Sequence, residues 1–170
     1  MAPSDHSSEP FLPYGRQSID EADIAAVVEV LRSDWLTTGP TVARFEEQLA
    51  QFVGTRQAVA VSNGTAALHC TMEALKIGPG DEVIVPTITF AASANCVLFQ
   101  GARPILVDVD PATLCIDPAA VEAAITPQTR AIVAVDFAGQ PCDYDALATI
   151  CQQHQLELIS DGCHSLGASY

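Results

Sequence analysis

Basic residues are scarce in this chain. Lysine and arginine together number 7 against 21 aspartates and glutamates, a formal net charge of −14 over 170 residues. Nucleic acids and anionic membranes are bound through basic faces. This balance therefore excludes both as general partners, and a negative ligand has to be held by local devices such as helix N-termini. A single lysine, Lys76, is present. The six cysteines (70, 96, 115, 142, 151 and 163) form no C-x-x-C pair and show no paired metal spacing. Most lie in apolar stretches, where a free thiol acts as a small hydrophobe, which suits a reducing, cytoplasmic location. No apolar run approaches the ~20 residues that cross a bilayer. Met1–Pro10 lacks the apolar core of a signal peptide.

What is present is globular material: 49% hydrophobic and 16% charged residues, in a chain long enough to bury roughly 70% of its extended surface. Ser18-Ile19-Asp20-Glu21 reads as a capping box opening a helix. Ile24, Val27, Val28 and Leu31 then fall on one stripe. Asp34 to Pro40 breaks the pattern, and a second amphipathic helix follows with Val42, Phe45, Leu49 and Phe52 inward, ending near Gly54.

Beyond it, strands expected at Ala58–Val61, Val83–Val85, Ile105–Val107, Ala131–Val135 and Leu156–Ile159 alternate with helices expected at Thr65–Lys76, Ala91–Gln100, Pro118–Ile125 and Tyr144–His154. The strands are short and nearly continuous in Val, Ile, Leu and Ala, the pattern of a parallel sheet covered by helices on both faces. Asp117 and Asp143 read as N-caps. The expected organisation is a flexible tail over residues 1–12, a two-helix arm over 13–55 and an α/β layered domain over 56–170.

In open α/β sheets, ligands collect beyond the carboxyl ends of the strands. There the sequence places Ser62-Asn63-Gly64-Thr65, Pro86 to Phe90, Asp136 to Pro141 and Ser160 to His164. A helix starting after Ser62-Asn63 aims unpaired N–H groups and its positive dipole end at one point, which suits a phosphate. Gly64 lets an anion approach, and Ser62 and Thr65 add hydroxyls. The same segment also reads as an ordinary capped strand-to-helix turn.

A planar, phosphorylated, cationic heteroaromatic would use all four loops. The turn takes the phosphate, Phe90 stacks on the ring, and Asp161 pairs with a protonated ring nitrogen, as in pyridoxal 5′-phosphate (PLP) chemistry. His164 then lies where it reaches a ring hydroxyl. Each residue has a plainer reading as well. Phe90 suits a core aromatic, and Asp161 suits a cap on the turn after it. Cys163 and His164 are too close in sequence to make a convincing metal pair or nucleophilic dyad.

Seven stretches carry a closer resemblance: PYGRQSI (13–19), SDWLTTGP (33–40), VSNGTAAL (61–68), PTITFAASAN (86–95), VDVDP (107–111), VDFAGQP (135–141) and SDGCHSLGASY (160–170). Through them the chain resembles the DegT/DnrJ/EryC1/StrS family of PLP-dependent sugar-nucleotide aminotransferases. PYGRQSI, DFAGQP and the SD-x-x-HSLG ending look most like the branch that aminates UDP-4-keto-6-deoxy-N-acetyl-L-altrosamine in pseudaminic acid biosynthesis. The resemblance implies the N-terminal part of a fold-type-I large domain, an α/β fold with a mostly parallel sheet behind a two-helix arm. It further implies PLP as cofactor, a UDP-linked 4-keto-6-deoxy sugar and glutamate as substrates, and a homodimer. By carry-over, Gly64, Thr65 and Ala66 meet the cofactor phosphate, Phe90 the ring face, Asp161 the pyridine nitrogen and His164 the ring oxygen. Tyr14, Arg16 and Thr37 approach the sugar nucleotide.

Amino transfer on PLP needs a lysine amine that forms a Schiff base. Lys76 falls about 16 Å from Thr65 along its helix, at 1.5 Å per residue, and suits the helix C-terminus instead. The resemblance places the catalytic lysine in an S-x-H-x-x-K segment beyond residue 170. The sequence thus reads as an incomplete large domain, lacking its C-terminal part and small domain, inactive alone and poorly soluble. The alternatives are a PLP sugar dehydratase relative that uses no lysine, a phosphate-binding α/β domain without PLP, and a non-catalytic partner of an intact copy.

Overall fold

The computed structural model describes residues 16–169. They fall in two compact units, the first ending at Ala58 and the second beginning at Val59.

The first unit holds α1 (Glu21–Arg32) and α2 (Pro40–Val53). The capping box expected at Ser18 forms two residues later. Asp20 is the N-cap, its carboxylate accepting from the Ala22 and Asp23 N–H groups at 2.8 and 3.0 Å, while the Asp23 carboxylate accepts from the Asp20 N–H at 3.0 Å. Aspartate is a strong cap, and Asp23 does the work expected of Glu21. Gly54 closes α2 at φ +71°, with its N–H returned to Ala50 and Gln51, a left-handed stop that glycine adopts without steric cost. The apolar stripes do not turn inward as expected. Ile24, Val27, Leu31, Val42, Phe45 and Phe52 are all exposed, and Ala50 is the one buried residue of α2. Periodicity fixes which residues share a face, but not that a partner covers it.

In the second unit, α3 (Gly64–Ala74), β1 (Glu82–Pro86), α4 (Ala92–Phe99), β2 (Arg103–Val107), α5 (Pro118–Ala124), β3 (Thr129–Val135), α6 (Tyr144–His154) and β4 (Glu157–Asp161) alternate. The four strands make one parallel sheet in the order β2-β1-β3-β4. Asp117 and Asp143 cap α5 and α6 as expected, accepting from Ala119 and Ala146 N–H groups at 2.9 and 3.0 Å. The strand expected at Ala58–Val61 does not form. That stretch joins no ladder, and Val59 and Val61 remain exposed. An apolar run becomes a strand only when a neighbour supplies the ladder.

The sheet is covered on both faces, and the side chains alternate between them. Val83 and Val85 of β1 and Ala131, Val133 and Val135 of β3 join Leu68 and Met72 of α3 and Cys96 and Val97 of α4. Ile84, Ile132 and Ala134 face the other way, onto Val121 of α5 and Leu147, Ile150 and Cys151 of α6. Four of the six cysteines are buried, as their apolar settings imply. The chain leaves β1 by α4 on one face and β3 by α6 on the other. The carboxyl ends of these two neighbours therefore form a switch point, where such sheets open a crevice.

At the opposite edge, Glu82 ties three strand beginnings together. Its carboxylate is buried, receives the Thr126 hydroxyl at 2.6 Å and pairs with Arg103. The Thr126 hydrogen bond first, and the Arg103 guanidinium second, hold its pKa below 4.5. A carboxyl with a lowered folded-state pKa stabilises the fold above its unfolded value, and the gain is lost as pH falls through the folded one. Glu82→Gln is therefore expected to lower the urea midpoint at pH 7 and to bring it level with the unsubstituted chain well below pH 4.5. Equal midpoints at pH 7 would remove this role.

Candidate functional site

At the carboxyl edge, the sequence segments singled out above meet through three elements of the second unit. Asn63 opens α3 by accepting the Ala66 N–H on Oδ1 at 2.9 Å. The Ala66 donor is thus engaged in the cap, while the Gly64 and Thr65 N–H groups lie in the first helical turn, where no intrahelical acceptor precedes them. A Cβ placed on Gly64 would lie 2.8 Å from the Cys163 Sγ. The helix start therefore lies against the turn that follows β4, and a larger residue at 64 would have to turn the Cys163 side chain aside.

Asp161 ends β4 and is 9% exposed. Its Oδ1 accepts the Cys163 N–H at 3.3 Å and its Oδ2 accepts the Ser93 hydroxyl at 3.3 Å. The cap reading of Asp161 holds, and its second carboxylate oxygen faces α4. Phe90, between β1 and α4, is 76% exposed. A core role is thereby excluded, and its ring is available to a ligand.

His164 accepts the Ala138 N–H on Nδ1 at 3.3 Å, which leaves the proton of the neutral ring on Nε2. Its ring meets Phe137 edge-on at 6.4 Å. The loop that grips it is strained: Ala138 has φ +54° and Gly139 φ +86°, and a Cβ on Gly139 would stand 3.1 Å from the His164 carbonyl oxygen.

Asp136, directly after β3, lies in a segment the sequence places at the strand ends, but the sequence assigns it no role of its own. It is buried, with Oδ1 accepting the Cys142 N–H at 3.1 Å and the Tyr144 hydroxyl at 2.8 Å, and Oδ2 accepting the Ser165 hydroxyl at 2.7 Å. Because Tyr144 donates to Asp136, the Ser160 hydroxyl donates to Tyr144, at 2.6 Å. Burial pushes the Tyr144 hydroxyl well above its usual range, so it stays a donor. Asp136 thus anchors the turn carrying His164 from the neighbouring strand. The signal available in sequence was a lone acid ending an apolar run, in the same position as Asp161.

Neither residue is set up for a Cys163–His164 nucleophilic dyad. The hydrogen bond to Asp161, then burial, pushes the Cys163 thiol up to about 11, whereas a nucleophilic cysteine needs its thiolate. The His164 Nδ1 is occupied by a backbone N–H. Arg16 and Thr37 are exposed in the first unit, and Tyr14 lies outside the described residues. Lys76 follows the far end of α3 and is exposed. Among the described residues, no helix is long and apolar enough to cross a membrane.

The model of the DegT/DnrJ/EryC1/StrS aminotransferase family matches residues 17–170. Among solved structures, the aminotransferase from Psychrobacter cryohalolentis is 40% identical, with a TM-score of 0.88 over 95% of this chain and 41% of its own. The PLP form of Spr1654 from Streptococcus pneumoniae is 36% identical, with a TM-score of 0.86 over 92% of this chain and 44% of its own. NtdA from Bacillus subtilis, solved with the cofactor PMP (the pyridoxamine 5′-phosphate form), is 38% identical, with a TM-score of 0.86 over 96% of this chain and 38% of its own. The chain spans less than half the length of each of these relatives.

Proposed function

This chain belongs to the DegT/DnrJ/EryC1/StrS aminotransferase family, and we propose that its strand-end site holds pyridoxal 5′-phosphate for amino transfer to a UDP-linked 4-keto-6-deoxy sugar. The observation that carries this reading is the seat of Gly64 on Cys163, because the Cys163 N–H in turn holds the Asp161 carboxylate. One short run of contacts thus joins an anion-binding helix start to a buried acid.

The residues fit the cofactor in kind. Gly64 and Thr65 offer backbone donors, and Thr65 a hydroxyl, to the phosphate at the positive end of α3. Phe90 offers an exposed aromatic face. Asp161, held by two donors, would keep a ring nitrogen protonated, and His164 would stand near the ring oxygen. When bound, PLP supplies an electron sink for charge that develops on the substrate carbon. The protein's part is to bind the phosphate, orient the ring and keep the nitrogen charged.

PYGRQSI, DFAGQP and the SD-x-x-HSLG segment favour the pseudaminic acid branch, with UDP-4-keto-6-deoxy-N-acetyl-L-altrosamine as acceptor and glutamate as donor. Tyr14, Arg16 and Thr37 then approach the sugar nucleotide, in a cytoplasmic homodimer of the whole enzyme. The 170-residue chain is expected to bind the cofactor without turning it over, since its one lysine sits past the far end of α3.

The test is a titration with PMP, which needs no lysine, followed by incubation with PLP, glutamate and a 4-keto sugar nucleotide. Saturable PMP binding without amination is expected. Failure to bind PMP would sink the site, and glutamate-dependent amination by this chain would sink the inactivity. A second reading is a dehydratase relative that uses the cofactor without a lysine. Loss of water from the sugar nucleotide in the presence of PMP would identify it.

A further inference from the structure

We propose that Ser93 is a positioning residue for Asp161, a buried hydroxyl that fixes the plane of the carboxylate and ties it to the loop bearing Phe90. This rests on the reading that Asp161 meets the ring nitrogen of the cofactor.

Ser93 lies in the first turn of α4 and is fully buried among Ala92, Cys96 and Val97. A hydroxyl in such surroundings costs stability unless it is hydrogen-bonded. Buried helix serines often return their proton to the preceding turn of their own helix. Ser93 instead donates to the Oδ2 of Asp161, 68 residues away in sequence, at 3.3 Å. The Thr89 Oγ1 lies 2.7 Å from the Ser93 Oγ. Each hydroxyl has one proton and the carboxylate only accepts. The order is therefore Thr89 to Ser93 to Asp161, a chain in which each bond polarises the next.

Two consequences follow from where the ends of this chain sit. The terminal torsion of an aspartate is broad, but here each carboxylate oxygen has a donor from a different element: Oδ1 from the Cys163 N–H of its own turn, Oδ2 from α4. Rotation of the carboxylate breaks both. The Ser93 N–H also donates to the Phe90 carbonyl oxygen at 3.1 Å, closing the turn that carries the Phe90 ring. Ser93 therefore links the two groups that would meet the ring, one by its side chain and one by its backbone.

The titratable groups on the elements around Asp161 are Cys96 of α4, Cys163 and His164 of its own turn, and Asp136 at the end of β3. Cys96 gives its thiol proton to the Ser93 carbonyl oxygen at 3.2 Å. Burial raises the Cys96 thiol, and the Asp161 hydrogen bond raises that of Cys163, so both stay protonated through neutral pH.

The experiment follows PMP bound to the 170-residue chain by its absorbance as a function of pH, together with its affinity and the thermal midpoint of the protein. Ser93→Ala is expected to lower the pH at which the bound ring nitrogen loses its proton by about one unit, a tenfold change in that equilibrium. The affinity for PMP falls about tenfold with it, while affinity for inorganic phosphate is unchanged. Ser93→Thr restores both values, and Thr89→Val shifts them partway in the same direction. A Ser93→Ala protein with the pH midpoint and PMP affinity of the unsubstituted chain would overturn the proposal. So would a Ser93→Thr protein that folds but behaves like Ser93→Ala. An unsubstituted chain that does not bind PMP overturns the cofactor assignment itself, an outcome distinct from either.

Discussion

Asp161→Asn is expected to weaken PMP binding by about 10- to 100-fold while leaving competition by inorganic phosphate unchanged. Asparagine keeps the shape of the side chain and removes its charge. A hydrogen bond to a charged group contributes about 1.5–3 kcal/mol, and each 1.4 kcal/mol is tenfold in affinity. The loss should be concentrated on the ring, since the phosphate is assigned to the Gly64–Thr65 end of α3. Asp161 is linked to that turn through Cys163. Two titrations separate the contributions: PMP alone, and inorganic phosphate displacing it. Equal PMP affinity in the asparagine variant would mean that the acid does not meet the ring. An equal loss for PMP and for phosphate would mean that the substitution disturbs the turn and not the charge.

Asp136→Ala is expected to destabilise the second unit by about 3 kcal/mol or more. The estimate follows from three donors losing their acceptor at a buried position, each unsatisfied group costing about 1–3 kcal/mol before any rehydration. Those donors are the Cys142 N–H, the Tyr144 hydroxyl and the Ser165 hydroxyl. Tyr144→Phe removes one of the three and is expected to cost about 1 kcal/mol. Urea unfolding measures both. Because Ser165 adjoins His164, the alanine variant should also bind PMP more weakly even where it remains folded. A stability loss for Asp136→Ala no larger than that of Tyr144→Phe would show that the carboxylate is not the hub of this network.

The layered α/β organisation was legible from local pattern. The helices α5 and α6 begin where Asp117 and Asp143 announce a cap. Four of the five expected strands form, because a run of β-branched and small apolar residues between turns can bury both faces at once. The fifth, at Ala58–Val61, has the same composition and no ladder. The distinction lies in hydrogen-bond partners, which one segment cannot reveal about itself. The α1 and α2 stripes fail for a related reason, as a pattern gives a face but not what lies against it.

The site divided along the same line. That the acid and the histidine would lie at strand ends followed from alternation and from the rule for open sheets, whereas the phosphate turn follows a stretch that forms no strand. Phe90 was balanced between core and ligand, because an aromatic ring suits either. Its exposure of 76% decides the matter, and that is a property of packing. Asp136 was visible only as an acid in a loop, and Ser93 as a small residue in an apolar helix. What makes each of them matter is a partner 29 or 68 residues away.

By itself, the order of residues determined most of the elements, the caps of α5 and α6, the two-faced parallel sheet and the rim on which chemistry would sit. These depend on periodicity and on interactions within a few residues of one another. The tertiary structure alone decided that Gly64 rests on Cys163, that Phe90 faces outward and that Ser93 and Asp136 hold the carboxylate and the histidine turn. Those relations join distant points of the chain through sterics and hydrogen bonds, and such contacts exist only once the sheet has brought the loops together.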